Sequence, residues 1–341
     1  MKIVYFTGAG ASVPFGYPTT EKFIKEIREK DLPRPFKSIC KYFEERLNGR
    51  VFDIEEVLWE LDHFQRITDD VLNKEHFMRW YLLNENFNGP INKISEEKNN
   101  INQLRSKINE EVYNTYWREP DKGQLKKIKD AYRKLFPLLA PPLHFFTTNY
   151  DLCIEENFRE SPRSDLTFTD GFEYDKFSTV RWNSENFMNK DVCLYKLHGS
   201  INWKRKHDLV WKAPIHDMTN EKDNAILYPG FKGEPIEEPF IFLHNRLRKC
   251  LMECEYCLVI GFSFRDEFIN KIFIDSLDRN KNLQILVWNP EMPKRLFHSE
   301  PFPFPLERLF PYEKKFGDDN EERIADILLS STKSLSSSIM R

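Results

Sequence analysis

Lys2-Ile3-Val4-Tyr5-Phe6-Thr7-Gly8-Ala9-Gly10-Ala11-Ser12 opens the chain with an apolar run that stops abruptly at small residues. A run of this length and ending reads as a buried parallel strand feeding a tight loop. The same form recurs four times. Leu143 to Phe146 precedes Thr147-Thr148-Asn149-Tyr150-Asp151, and Val192 to Leu197 precedes His198-Gly199-Ser200. Tyr256 to Ile260 precedes Gly261-Phe262-Ser263, and Gln284 to Trp288 precedes Asn289-Pro290. Five such strands predict an α/β fold built on a Rossmann-like parallel sheet. Ligands of open α/β sheets bind beyond the carboxyl ends of the strands, so the five loops are expected to converge on one composite crevice.

Between about Pro35 and Leu139 the periodicity becomes helical, with Ile54, Val57, Leu58, Leu61 and Phe64 on one apolar stripe. The expectation is one large domain over residues 1–330, with a large helical insertion at 35–140 inside it. A second stripe through Ile94, Ile101, Leu104, Ile108 and Val112 lies on a strongly charged segment. It reads either as packing within the chain or as a subunit interface. Pro301 to Pro311 is proline-punctuated and reads as irregular. Asp318 to Leu329 fits a closing helix, and residues 331–341 a flexible tail.

The chain has 341 residues and 40% apolar content, enough for a substantial core. With 51 basic and 54 acidic residues its formal net charge is -3, so no global positive field exists to hold a nucleic-acid backbone, and no strong direct nucleic-acid binding is expected. Thr7 and Gly8 interrupt the first apolar run before a signal peptide could form, and no run is long enough to span a bilayer. Six cysteines lie mostly in apolar segments, which fits reduced thiols in a cytoplasmic protein. Cys250, Cys254 and Cys257 invite a zinc reading, but no second close pair accompanies them. Buried thiols are the expectation there, and no metal.

Gly8 and Gly10 suit close approach to a phosphate, with Ser12 and nearby amides as donors, although a dinucleotide-binding oxidoreductase could open in the same way. Asn149 and Asp151 place an amide and a carboxylate in one tight loop. An Asx turn capping the next helix accounts for Asp151 equally well. His198 ends the third strand, where a neutral imidazole could act as acceptor or general base.

In order, Gly8-Ala9-Gly10-Ala11-Ser12, Gly16-Tyr17-Pro18, Thr147-Thr148-Asn149-Tyr150-Asp151, Lys196-Leu197-His198-Gly199-Ser200 and Gly261-Phe262-Ser263 resemble the motifs of the sirtuin (silent information regulator) family. Lys-Leu-His-Gly-Ser-Ile-Asn-Trp at 196–203 is similar to the sirtuin-like branch of bacterial antiphage defence, whose members hydrolyse NAD. The resemblance implies that Gly8, Ala9, Gly10 and Ser12 line the diphosphate and that Asn149 holds the reacting ribose or its water. It further implies that Tyr150 and Asp151 address the carboxamide, that His198 is the base, and that Ser263 and Asn289 touch phosphate or ribose. Two departures stand out. The loop reads Gly16-Tyr17-Pro18-Thr19-Thr20-Glu21, without the Phe and Arg of the deacylase pattern, and residues 199–256 lack the paired cysteines of a zinc ribbon.

What this implies is an NAD hydrolase, with NAD as substrate and nicotinamide and ADP-ribose as products, acting as the effector of an antiphage defence system. An NAD-dependent deacylase or ADP-ribosyltransferase, and a non-catalytic NAD- or ADP-ribose-binding module, stay open as alternatives. Because an unrestrained hydrolase would poison its host, the expected partners are further copies of the chain and a separate regulator such as a HerA-type ATPase or a short Argonaute.

Overall fold

A computed structural model describes residues 2–30, 32–46, 52, 54–73, 88–116, 122–135, 141–159, 166–174, 179–213, 224–227, 235–293 and 304–317. Its strands are β1 (Ile3–Thr7), β2 (Leu143–Thr147), β3 (Phe168–Thr169), β4 (Phe172–Tyr174), β5 (Val180–Trp182), β6 (Val192–Lys196), β7 (Gly199–Lys206), β8 (Leu209–Lys212), β9 (Asn224–Ile226), β10 (Tyr256–Ile260), β11 (Gln284–Asn289) and β12 (Leu309–Glu313). Its helices are α1 (Thr20–Arg28), α2 (Arg34–Arg46), α3 (Ile54–Leu72), α4 (Asn88–Tyr116), α5 (Lys122–Leu135), α6 (Cys153–Arg159), α7 (Phe240–Glu253) and α8 (Glu267–Arg279). Asp318 to Leu329 and the tail at 331–341 lie outside the described residues.

The chain divides into two compact units. The first comprises Met1–Tyr17, Tyr116–Leu227 and Lys232–Arg341, and the second Pro18–Thr115 and Tyr228–Phe231. The first is built on a seven-stranded parallel sheet in the order β12-β11-β10-β1-β2-β6-β3. From β1 the chain passes to β2, to β3 at the edge and back to β6 on one flank, then returns to the other flank of β1 and continues through β10, β11 and β12. The direction of winding therefore reverses between β1 and β10, the place where open α/β sheets hold nucleotides. All five apolar runs of the sequence are strands of this sheet. Every residue of β1 and β6 is buried, as covering on both faces requires. Tyr5 stacks on Phe145 and Phe146 on Tyr195, each pair 4.5 Å apart, which ties neighbouring strands through their side chains.

Register sets the level of the strand ends. Thr7 pairs with Thr147 and Ile260, Thr147 with Lys196, and Ile260 with Trp288. The loops beyond these residues leave the sheet at one height.

Two parts of this unit depart from the sequence reading. Leu309–Glu313 is a strand at the sheet edge, not irregular chain, and Pro311 is tolerated there because an edge strand needs no donor on its outer side. Strands β4, β5, β7, β8 and β9 form a second, antiparallel sheet in the order β4-β5-β8-β7-β9. Its short strands gave no clear alternation in the sequence. Cys250, Cys254 and Cys257 are buried in the apolar core where α7 runs into β10, and burial pushes the Cys250 and Cys254 thiols up to about 12.

In the second unit, Thr19 caps α1 by accepting the Lys22 amide at 3.2 Å. Ile54, Val57, Leu58 and Leu61 of α3 are buried, as the 3.6-residue periodicity requires. On α4, Ile101, Leu104, Ile108 and Val112 are at most 7% exposed, while Lys98 and Arg105 reach back to Asp69 and Gln65 of α3. Four residues of this stripe are thus covered within the chain itself, while Ile94 is half-buried. Among the described residues no helix is long and apolar enough to cross a membrane.

Candidate functional site

Beyond β1 the chain makes a tight turn whose amides are largely engaged. Gly8 donates to the Ile260 carbonyl at 2.9 Å, Gly10 to Gly261 at 2.8 Å, Ala11 to Gly8 at 2.9 Å and Ser12 to Ala9 at 3.1 Å. The Ala9 amide meets no acceptor among the described residues. The glycines have a sharper reason than phosphate approach alone. A Cβ on Gly8 would lie 2.7 Å from Phe262 Cα, and one on Gly10 2.8 Å from Gly261 Cα. Gly261 itself has φ +65, and a Cβ there would fall 2.1 Å from the Ala11 nitrogen. Backbone thus packs directly on backbone where the loops of β1 and β10 meet.

Asn149 stands two residues beyond Thr147. Its backbone N–H donates to Thr147 Oγ1 at 3.0 Å, and its side-chain Nδ2 donates to the Gly8 carbonyl at 2.9 Å and to Ser12 Oγ at 3.0 Å. Both amide hydrogens are held by the β1 loop. Oδ1 is left with no donor among the described residues. Ser12 is buried and holds Asn149, so its hydroxyl acts first as an internal brace.

Asp151 is buried, and its Oδ1 accepts the Cys153 amide at 3.0 Å in an Asx turn that opens α6. The backbone of this loop is clamped from β6. The Lys196 ammonium, 1% exposed, donates to the Asp151 carbonyl, to the Tyr150 carbonyl at 3.5 Å and to Glu155 Oε1 at 2.8 Å. Burial lifts the Glu155 carboxyl above its ordinary range even with Lys196 beside it. The Tyr150 ring lies edge-on to Tyr116 at 6.3 Å and 6.5 Å from the His198 ring.

Leu197 and His198 are the two residues between β6 and β7, so His198 sits where the parallel sheet passes into the antiparallel one. Its backbone is held on both sides. Leu197 donates to the Thr147 carbonyl at 2.8 Å, and the His198 carbonyl accepts from Leu227 at 2.9 Å. Gly199 follows with φ +82, and a Cβ there would lie 2.1 Å from the Ala225 carbonyl oxygen, so only glycine permits this junction beside β9. The ring is 2% exposed. Nε2 lies 2.9 Å from Asp266 Oδ2, and Nδ1 is buried with no partner among the described residues.

Asp266 escaped the sequence reading, which stopped at Ser263. It caps α8, its Oδ1 accepting the Ile269 amide at 2.9 Å. Burial acts to raise its carboxyl, but the hydrogen bond from His198, the nearby imidazoles and the Ile269 amide outweigh burial and hold it below its usual value. It is therefore an ionised acceptor. The loop that delivers it contains Phe264 at φ 54, a strained conformation for a buried aromatic residue, held by Asn270 donating to the Phe264 carbonyl at 2.8 Å. The His244 ring lies 6.5 Å from that of His198, and its Nδ1 donates to the Phe240 carbonyl at 2.8 Å. Burial pushes His244 down to about 4, so it is neutral at pH 7.

Of the residues the sequence singled out, Asn149 is hydrogen-bonded to Gly8 and Ser12, and the ring of the adjacent Tyr150 lies 6.5 Å from that of His198. Asn289 joins from β11, donating to the Phe262 carbonyl at 2.9 Å, which steadies the β10 loop. Ser263 stands exposed on that loop.

Residues 143–300 match the family model described as a SIR2-like domain. No curated protein sequence matches the chain. Among solved structures, a mutant Sir2 homologue in complex with 2′-O-acetyl-ADP-ribose is 15% identical with a TM-score of 0.44, covering 98% of this chain and 93% of its own. A Sir2 homologue in complex with NAD is 13% identical with a TM-score of 0.42, covering 97% and 90%. The likeness to a known family rests on residues 143–300, which are similar to a SIR2-like domain.

Proposed function

We propose that this chain hydrolyses NAD to nicotinamide and ADP-ribose. One observation carries the reading. Asn149 and His198 each stand two residues beyond the paired Thr147 and Lys196 of adjacent strands, and each presents an unpartnered acceptor, Oδ1 and Nδ1. Two bare acceptors at one level suit a water molecule or a ribose hydroxyl, both of which donate.

In the reaction, the glycosidic bond between ribose C1′ and the pyridinium nitrogen breaks, its electron pair leaving with nicotinamide as a neutral molecule. Positive charge develops on the ribose. A water oxygen forms the new bond to C1′, Asn149 Oδ1 orients that water, and His198 Nδ1 takes the proton it releases. The sum is NAD and water giving nicotinamide, ADP-ribose and a proton. Gly8, Ala9, Gly10 and Ser12 are assigned to the diphosphate, with the Ala9 amide as the available donor, and Tyr150, Ser263 and Asn289 to the remaining nucleotide contacts. Asp151 acts mainly by holding the loop that carries Asn149.

Incubation of the purified chain with NAD and no peptide, resolved by chromatography, tests the assignment. Nicotinamide and an ADP-ribose product are expected. Turnover only on addition of an acetyl-lysine peptide would move the assignment to a deacylase, and tight NAD binding without turnover to a binding module.

We infer the cellular role from the resemblance of residues 196–203 to the antiphage branch: a cytoplasmic effector that depletes NAD, working as a homo-oligomer under a separate regulator such as a HerA-type ATPase or a short Argonaute. Such a partner would supply the nucleic-acid contact that a chain of net charge -3 lacks. Phage challenge of cells expressing the chain with and without its operon neighbour, with NAD measured in the lysate, checks this role.

A further inference from the structure

We infer that Asp266 is the positioning residue that fixes which nitrogen of His198 is the base, and so couples the start of α8 to the chemistry. This rests on the reading of His198 as a base but reaches a residue outside every motif that suggested it. An ionised carboxylate only accepts hydrogen bonds, so the 2.9 Å contact between His198 Nε2 and Asp266 Oδ2 requires the proton on Nε2. In the neutral ring Nδ1 then carries the lone pair, and Nδ1 is the buried atom left without a partner. Asp266 can hold this arrangement because its other oxygen is anchored by the Ile269 amide. When Nδ1 takes a proton, the resulting imidazolium faces a carboxylate whose side chain is 10% exposed, where little solvent screens the attraction. The cation is stabilised without Asp266 itself changing protonation state.

Capping and positioning separate by substitution. Serine is a good helix cap but too short to reach His198, so Asp266→Ser keeps the first role and removes the second. The full chain, labelled with 15N at histidine and compared with His198→Gln for assignment, reports the tautomer through the imidazole nitrogen shifts at neutral pH. In the parent, Nε2 is expected protonated and Nδ1 bare. In Asp266→Ser, the two nitrogens are expected to move toward averaged values, with NAD turnover lower by about a hundredfold and partly restored in Asp266→Glu. If Asp266→Ser does not fold, Asp266→Asn supplies the readout. Its amide oxygen stays with the Ile269 N–H, so its NH2 faces Nε2 and the neutral His198 ring is expected to switch to the form protonated on Nδ1. The other ionisable side chains whose rings approach His198, Tyr150 and His244, are unchanged in that comparison.

An unchanged His198 tautomer in Asp266→Ser or in Asp266→Asn would overturn the inference. A parent chain with the stated tautomer but no NAD cleavage would leave the Asp266 assignment standing and remove only the hydrolase reading.

Discussion

The side-chain amide nitrogen of Asn149 donates to the carbonyl oxygen of Gly8 at 2.9 Å, and that contact fixes which way the amide points. A carbonyl cannot donate, so the nitrogen must face Gly8 and the oxygen must face away. Ser12 Oγ, at 3.0 Å from the same nitrogen, agrees with this orientation. The residue is therefore a pure acceptor toward any ligand.

Asn149→Ala removes that acceptor and leaves the Gly8 carbonyl without its donor. NAD turnover is expected to fall about a hundredfold, with a stability loss of about 1–3 kcal/mol. Asn149→Asp, nearly the same shape, places a carboxylate oxygen against the carbonyl oxygen and should melt below Asn149→Ala. Thermal melts and turnover of the two variants side by side check the order; an Asp variant as stable and active as the parent would refute it.

Lys196 is a fully buried cation held by two carbonyls and Glu155. Lys196→Met strands Glu155 and frees the loop that carries Asn149, with an expected cost of about 3–5 kcal/mol. Adding Glu155→Gln to the same chain should recover part of that loss, since a neutral amide needs no cation. Denaturant unfolding of the two single variants and the double variant measures the coupling.

Stability should fall as the medium is acidified from about pH 6.5 to about pH 4. His144 and His244 are both pushed down to about 4, chiefly by burial. In that window the unfolded chain takes up protons on these rings while the folded chain does not, so the unfolded state gains. Above the ordinary histidine value the contribution is fully present; it is lost as the pH falls through the window. His244→Asn retains a donor for the Phe240 carbonyl but cannot titrate. Melting points across pH 4–7 should therefore fall less steeply for this variant than for the parent, and equal slopes would count against the assignment.

How far the sequence could be read depended on whether the signal was local. The strand runs declared themselves because a buried parallel strand is apolar along its whole length, and Tyr256 to Ile260 was placed to the residue. The antiparallel sheet was not legible, since strands such as Phe172–Tyr174 and Val180–Trp182 are too short to show alternation. Asp266 lies outside every strand-end segment that the sequence singled out. Its contact with His198 spans 68 residues and exists only once β10 and β6 have taken their places in one sheet. Gly8 and Gly10 were legible as glycines of a tight loop, but that their missing side chains make room for Gly261 and Phe262 is a long-range fact.

The parallel sheet ends on one side at β12, where Pro311 has no N–H to offer, and on the other at β3, which is two residues long. Neither border is a good template for recruiting another extended segment. Among the described residues, copies of this chain are therefore not expected to join by continuing the parallel sheet from one molecule into the next, and growth into strand-paired fibres is disfavoured at the same two borders.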